Sequence, residues 1–389
     1  MASCSICNTT NLSEVLELKS YPAYIVPVPQ NIASTVQKAD LKLFCCDNCG
    51  HFQSVNPDKE LQRLIYEVYY SYYVVDSSES FSPHYRKPFV DFLQKLKKDG
   101  NFENKNNLLE IGCSSGQQVD FFKSIIPNYV GIDPSDKIEK AIETHQNEHF
   151  IKGYFPESLP NLNFDVIISQ FNLEHILDIQ DFLSKIYDAL LESGIIIFQV
   201  PDIEDFVRNK LPNFMAHEHL QYFTKDSLGK LLNAQGFKVL NWGETGPSLI
   251  VAAQKQKNKL KIDFSENLEN SLLNKNQIKT LFHQKPEIPA SKVAFYGVGP
   301  QLYWLLSLES NFNDFVVCDD NPNYENQALP GYGTKILKPS KSIFSEYSLV
   351  VLSLNKFYHQ VVLEKLKVLN IPLKVCLINQ IGVWETIKI

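Results

Sequence analysis

The sequence predicts an α/β protein in three parts: a small cysteine-anchored lobe, a doubly wound domain around a seven-stranded sheet, and a smaller Rossmann-like α/β unit. Three observations carry this. Two C-x-x-C pairs sit within the first fifty residues, short apolar strands alternate with helical stretches from residue 107 to 254, and a second strand–glycine turn–helix pattern opens near residue 290. The boundaries read as 1–70, 71–254, a connecting segment 255–289, and 290–389. At 389 residues the chain exceeds what one hydrophobic core usually organises, which agrees with several domains.

In the first part, Cys4 and Cys7 form one pair and Cys46 and Cys49 the other, followed by Gly50. Two such turns supply four thiolates, which complete a tetrahedral zinc site with no open position, so the zinc is expected to be structural. Cys45 is the spare thiol. A redox role is less suited, because no thioredoxin-like strand–helix pattern surrounds either pair. The tyrosine-rich stretch Tyr66 to Tyr73 then reads either as packing between lobes or as a substrate lid.

The middle part reads as strands Asn107–Cys113, Tyr129–Asp133, His149–Lys152, Phe164–Gln170 and Gly194–Val200. After them come a helix Thr224–Gln235 with Thr224 as N-cap, then strands Phe237–Gly243 and Ser248–Gln254. Asp165-Val-Ile-Ile-Ser and Gly194-Ile-Ile-Ile-Phe are the continuous apolar runs of buried parallel strands. Only a Gly/Pro turn separates the last two, which predicts an antiparallel finish. Residues 255–289, with spaced leucines among polar residues, predict a connecting helix. Beyond it, Val293–Tyr296 leads into Gly297-Val-Gly299, a helix, Phe315–Cys318, and strands near Leu349–Leu354 and Val375–Ile378.

Composition excludes some functions. The net charge of -7 comes from 37 basic and 44 acidic side chains, and only Arg63, Arg86 and Arg208 are arginine. A nucleic-acid binder concentrates basic residues on one face, so that class is set aside. No apolar run reaches the roughly 18 to 20 residues of a membrane span. The N-terminus lacks the basic and apolar regions of a signal peptide, so a reducing cytoplasm is the expected compartment.

The chemistry begins at Leu108-Leu-Glu110-Ile-Gly112-Cys-Ser-Ser-Gly116, a strand feeding a glycine turn. Gly112 and Gly116 allow close backbone approach, and Asp133, ending the next strand, can accept ribose hydroxyls. The turn lacks the G-x-G-x-x-G spacing a pyrophosphate requires. Glu110 repels phosphate but suits a cationic sulfonium and its amino group. With the strand order, this motif resembles the class I S-adenosylmethionine-dependent methyltransferases. The resemblance implies that Glu110, Gly112 and Gly116 line the methionine end and Asp133 the ribose. It places Phe155 beside adenine, a position core packing also explains, and puts Phe171 and Asn172 where cofactor meets substrate.

Over nearly the whole chain, the order of Cys4 lobe, methyltransferase and Rossmann-like unit resembles the sugar C-methyltransferases, which methylate a carbon of a nucleotide-linked keto-deoxyhexose. The segments that carry this are Cys46-Asp-Asn-Cys-Gly, Tyr70–Ser80, Asn172-Leu-Glu-His175-Ile, His217-Glu218-His219-Leu-Gln-Tyr-Phe, Tyr296-Gly-Val-Gly and Asp319-Asp-Asn-Pro. Such chemistry needs a base to remove a proton beside a carbonyl, and donors for the enolate oxygen. His219 is the candidate base, Glu218 orients it or contacts the sugar, His175 faces the keto oxygen or a hydroxyl, and Tyr72 joins the catalytic set. His217 reads as structural. Ala216 stands where the family usually has tyrosine, and Gln301 where it tends to have lysine. The expected activity is therefore C-methylation of a nucleotide-linked 4-keto-6-deoxysugar. The alternatives are O-methylation of a sugar hydroxyl, or a binding module with decayed catalysis.

Overall fold

The computed structural model describes residues 2–69, 83–146, 148–159, 163–212, 214–244, 246–258, 261–266, 268–284, 286–288, 291–308, 312, 314–380 and 383–389. The central sheet has seven strands in the order 237–244, 248–255, 190–201, 164–170, 107–111, 128–133 and 149–152. The strands from 107 to 201 pair in parallel, and Ser248–Lys255 pairs antiparallel with both of its neighbours. The antiparallel finish anticipated from the Gly/Pro turn is present. Strand 107–111 lies between 164–170 and 128–133, so the strand order reverses there. A crevice opens at such a point beyond the carboxyl ends of the strands.

Local signals set the ends of the elements. Thr224 Oγ1 accepts from the Ser227 amide and Ser227 Oγ from the Thr224 amide, each at 3.0 Å, so a reciprocal cap starts helix Lys225–Ala234. The strand anticipated from Gly194 begins earlier, at Leu190. Helix Ile179–Ala189 runs straight into it, and Leu190 pairs with Phe164 across a register shift.

In the first part, strands Leu12–Pro22 and Lys38–Cys46 pair antiparallel and continue into Phe52–Gln53. The outer strand of this sheet is Gln221–Tyr222, from far along the chain. The last part forms a six-stranded sheet in the order 336–337, 314–318, 291–296, 349–352, 374–380 and 383–388, parallel except at the final pair. Helix Glu269–Leu281 connects it to the central sheet.

These parts share core. Tyr21, Leu43 and Phe52 of the first sheet are clustered with Phe214, Tyr222, Phe282 and Trp304. Strand Val28–Pro29 pairs with Gln327–Ala328, and Lys38 lies 3.2 Å from the centre of the Tyr332 ring. No described helix is long and apolar enough to cross a membrane. Trp304 is fully buried, and its Nε1 donates to the Phe282 carbonyl at 3.2 Å. Trp304→Ala should destabilise the protein by about 3–5 kcal/mol, read as a fall in the urea midpoint by circular dichroism. A change under about 1 kcal/mol would show that this shared core does not hold the parts together.

Candidate active site

Strand Asn107–Ile111 ends in a turn whose backbone is left-handed at Gly112, with φ +81°, and at Gly116, with φ +69°. A Cβ at Gly116 would come within 3.0 Å of Ala141 and Phe150, so the helix and strand close onto it. Gly112 instead faces Asn172, whose side chain would lie 3.8 Å from an added Cβ. Asn172 Nδ2 donates to Ser169 Oγ at 3.2 Å, and Ser169 Oγ donates to the Ile111 carbonyl at 3.0 Å. The fold thus brings the glycine turn and the Phe171–Asn172 segment together. Phe171 is left-handed at φ +49°, and its amide donates to the Gln199 carbonyl.

Glu110 is only 6% exposed and accepts from the Tyr129 hydroxyl. Burial pushes its carboxyl up to about 7, with Asp133 adding to the rise and Tyr129 opposing it. The Asp133 carboxylate already holds the turn: Oδ2 accepts from the Ser114 amide at 2.8 Å, and Oδ1 from the Ser135 amide and hydroxyl. Phe155 stacks edge-on against Phe182, with centroids 5.6 Å apart, at the margin of the central core.

Sequence reasoning missed a row of amides along the same edge. Gln118 Nε2 donates to Gln170 Oε1 at 2.8 Å, and Gln199 Nε2 donates to Ser248 Oγ at 3.0 Å. Gln118 Oε1 is buried without a partner, an acceptor suited to an ammonium. The available signal was glutamine closing two otherwise apolar strands. Glycine turn, buried acid and unpartnered acceptor together fit a cationic, methionine-like ligand.

Beyond Asn172, the 3₁₀ turn Leu173–His175 meets the loop Phe214–Leu220. His175 and His219 have ring centroids 5.1 Å apart. Nδ1 of His175 donates to the Glu218 carbonyl at 2.9 Å, and Nδ1 of His219 to the Phe214 carbonyl at 3.1 Å. Burial first, then His175, pushes His219 down to about 3. Glu218 meets His175 through its backbone, while Phe214 orients His219. His217 turns away, its Nε2 3.2 Å from the Tyr21 carbonyl oxygen.

The sequence shows no third metal ligand beside His219, yet the fold supplies an acidic neighbour. One ligand atom each of Glu174, His175 and His219 lie within 4.8 Å of one another. Tyr72 lies outside the described residues. The tyrosines placed at this site are Tyr66, edge-on to His175, and Tyr222, which is edge-on to His219 and donates to the Ala216 carbonyl. Gln301 points inward, donating to the Ile378 carbonyl at 2.9 Å.

The four cysteines also converge. Cys4 and Cys49 sulfurs are 3.5 Å apart, as are those of Cys7 and Cys46, and all four lie within 4.8 Å. Tetrahedral zinc–thiolate bonds of about 2.3 Å imply sulfur separations of about 3.8 Å, so the set fits such an ion. Cys45 packs into the shared core, where burial pushes its thiol up to about 12. A cleft of about 820 Å³ beside Lys225 and Trp242 is lined by none of these groups. The glycine turn, Asp133 and the Phe171–Asn172 segment lie instead at the carboxyl ends of their strands.

Residues 81–241 match the family model described as Methyltransferase domain. Within that span the chain carries a methyltransferase domain. An uncharacterized protein of Methanocaldococcus jannaschii is 27% identical over 209 residues, covering 51% of this chain and 79% of that one. C-methyltransferase NovU of Streptomyces niveus is 23% identical over 175 residues, covering 43% of this chain and 40% of that enzyme. Among solved structures, N-methyltransferase NodS from Bradyrhizobium japonicum WM9 in complex with S-adenosyl-l-homocysteine is 14% identical. It covers 45% of this chain and 89% of that one, at a TM-score of 0.37.

Burial of Glu110 in this domain has a measurable sign. Its folded-state pKa of about 7 exceeds the ordinary 4.5, so the folded protein keeps a proton that the unfolded chain has lost between those values. Stability therefore falls as pH rises through that window and levels off above it. Glu110→Gln should gain stability relative to wild type more at pH 8 than at pH 5, by up to about 3 kcal/mol, seen as a larger rise in melting temperature. An equal difference at both pH values would contradict the buried, protonated carboxyl.

Proposed function

We propose that this methyltransferase adds a methyl group to a carbon beside the ketone of a nucleotide-linked 4-keto-6-deoxysugar. The observation that carries the reading is the pair of imidazole Nε2 lone pairs, on His175 and His219, next to a buried carboxyl. They stand one turn beyond the Asn172 that faces the cofactor glycine. Buried proton acceptors in that place suit a site that removes a proton from its ligand. The 23% identity to a C-methyltransferase supports the same chemistry.

Glu110, Gly112, Gly116 and Asp133 hold the cofactor, with Phe155, Phe171 and Asn172 around it. When bound, it supplies a methyl group on a cationic sulfur, already activated for transfer to a carbanion. His219 Nε2 removes the proton beside the ketone, His175 and the nearby tyrosines contact the keto oxygen, and Glu218 lies beside the sugar. The buried side chains of Leu173, Phe214 and Tyr222 lie beside the histidines and would limit water near an enolate.

Two of the three arginines have acidic partners of their own and are not drawn on for the substrate's phosphates. Arg63 is engaged by Glu60 and Glu67 on its own helix, and Arg208 lies 3.6 Å from Asp205. Zinc on Cys4, Cys7, Cys46 and Cys49 is structural and holds the knuckle that abuts the catalytic loop.

The reading is tested by incubating the protein with S-adenosylmethionine and a panel of nucleotide keto-sugars. Mass spectrometry should find a gain of one methyl, and NMR should place it on carbon. A methyl on oxygen would instead establish O-methylation, and failure of S-adenosylmethionine to bind in calorimetry would leave only a binding module. His219→Ala should cut turnover by about 10²–10⁴-fold while leaving cofactor affinity nearly unchanged. Elemental analysis should find zinc in the purified protein and less of it in Cys49→Ser; zinc near zero in wild type would refute the metal assignment.

A further inference from the structure

Glu174 has no part in the roles assigned so far. It is 2% exposed in the turn Leu173–His175, and its Oε2 makes no hydrogen bond. A carboxylate in such a place is costly unless something compensates it. Each element around it contributes one or two polar groups. Its own turn brings His175, with Nε2 4.0 Å from Glu174 Oε1. The loop beyond Phe214 brings His219 and the Glu218 carboxylate, and helix Lys59–Glu67 brings Tyr66, which Tyr154 approaches in turn. Among the described residues no lysine or arginine pairs with it.

The two imidazoles are set the same way. Each Nδ1 faces a backbone carbonyl, which only accepts, so each Nδ1 carries the hydrogen and each Nε2 presents a lone pair. One ligand atom from each of the three residues lies within 4.8 Å of the others, and with Glu174 ionised His175 Nε2 and Glu174 Oε1, 4.0 Å apart, are both acceptors. One added proton turns one of them into a donor to a neighbour and removes the repulsion between facing lone pairs. The backbone holds the spacing, since the Leu220 amide donates to the Glu174 carbonyl at 2.8 Å.

We propose that Glu174 is a positioning residue for proton removal: with His175 and His219 it forms a cluster that takes up and shares the single proton withdrawn from the substrate. This rests on the C-methylation reading. In the step, the carbon–hydrogen bond beside the ketone breaks and its electron pair stays on the substrate as an enolate. The proton bonds to His219 Nε2 and is shared through His175 with the Glu174 carboxylate. It leaves to water after the product does. The cluster must begin without its proton, so its own ionisation sets the acid limb of the rate. Burial pushes His219 down to about 3 and Glu174 up to about 7, so the carboxyl gives the cluster its affinity for a proton near neutrality. Groups this close titrate as a unit.

Two measurements separate this inference from the reading beneath it. The first needs no turnover. Long-range proton–nitrogen spectra of the imidazoles are recorded on full-length protein saturated with S-adenosyl-l-homocysteine, from pH 5 to 9, with assignments from His175→Asn and His219→Asn. In wild type the Nε2 signals of both histidines should shift together as Glu174 titrates near pH 7. In Glu174→Gln that step should vanish while both Nδ1–H tautomers remain. An unchanged step in the variant overturns the proposal, as does tight zinc binding at these three residues that is lost in Glu174→Gln.

The second measurement uses dTDP-4-keto-6-deoxyglucose. Glu174→Gln should lower kcat by about 10²-fold and lose the acid limb, with KM and cofactor affinity within about threefold of wild type, and Glu174→Asp should partly restore both kcat and the limb. Wild-type kcat in Glu174→Gln overturns the proposal. If no keto-sugar is methylated yet the shared imidazole step depends on Glu174, the proton cluster stands and the C-methylation reading fails. Unchanged affinity for S-adenosyl-l-homocysteine in both variants shows that they fold.

Discussion

Gln221 is the point on which the site depends. Its Oε1 accepts from the Ser5 hydroxyl at 2.7 Å and from His51 Nε2 at 2.9 Å, and its Nε2 donates to the Ile176 carbonyl at 3.0 Å. Its backbone pairs with Gln53. One buried amide thereby joins the N-terminal lobe, the turn that carries Glu174 and His175, and the loop that carries His219. Burial pushes His51 down to about 4, so the ring stays neutral and its Nε2–H is there to donate near neutral pH. An amide with every group satisfied holds its neighbours in one arrangement, whereas a half-satisfied one would be a liability.

The cysteine knuckle serves the same end. Gln180 reaches back to the Ser5 and Ile6 carbonyls, and Lys275 pairs with Asp47 beside Cys46. Gly50 packs so tightly against Ser271 that a Cβ would come within 2.4 Å of its hydroxyl. The first lobe therefore acts as a bracket between the central sheet and the connecting helix. Its remoteness in sequence from His219 hides a separation of only a few residues through Gln221.

Much of this was legible in the chain. Continuous apolar runs marked the buried strands, because strands covered on both faces have no polar side to alternate. The cysteine pairs and the glycine turn announced themselves by spacing. What sequence could not supply is long-range. Gln221–Tyr222 is a two-residue strand with no periodicity, visible only once Phe52–Gln53 lies beside it. Gln301 stands where a ligand-facing lysine was looked for, yet its amide is spent on the Ile378 carbonyl. Glu174 was quoted within its motif but carried no role, since nothing local tells a buried carboxyl from a solvated one. A histidine near its ordinary pKa was the natural choice of base, and only burial shows that His219 resists protonation when it acts alone.

That resistance is informative when charges are counted. Among the described residues no arginine contacts the site, and its buried carboxyls Glu110 and Glu174 are each pushed up to about 7 by burial. Suppose a lone neutral histidine took the proton in the presence of a sulfonium. The pocket would then carry a net positive charge before, during and after the reaction, at high cost in a low dielectric. An anionic cluster begins by balancing the sulfonium. It becomes neutral as the enolate becomes negative, and all three charges are gone once the methyl group has moved. The sum stays at zero throughout. A buried acid beside two neutral imidazoles is thus the acceptor that an arginine-poor, dry pocket requires.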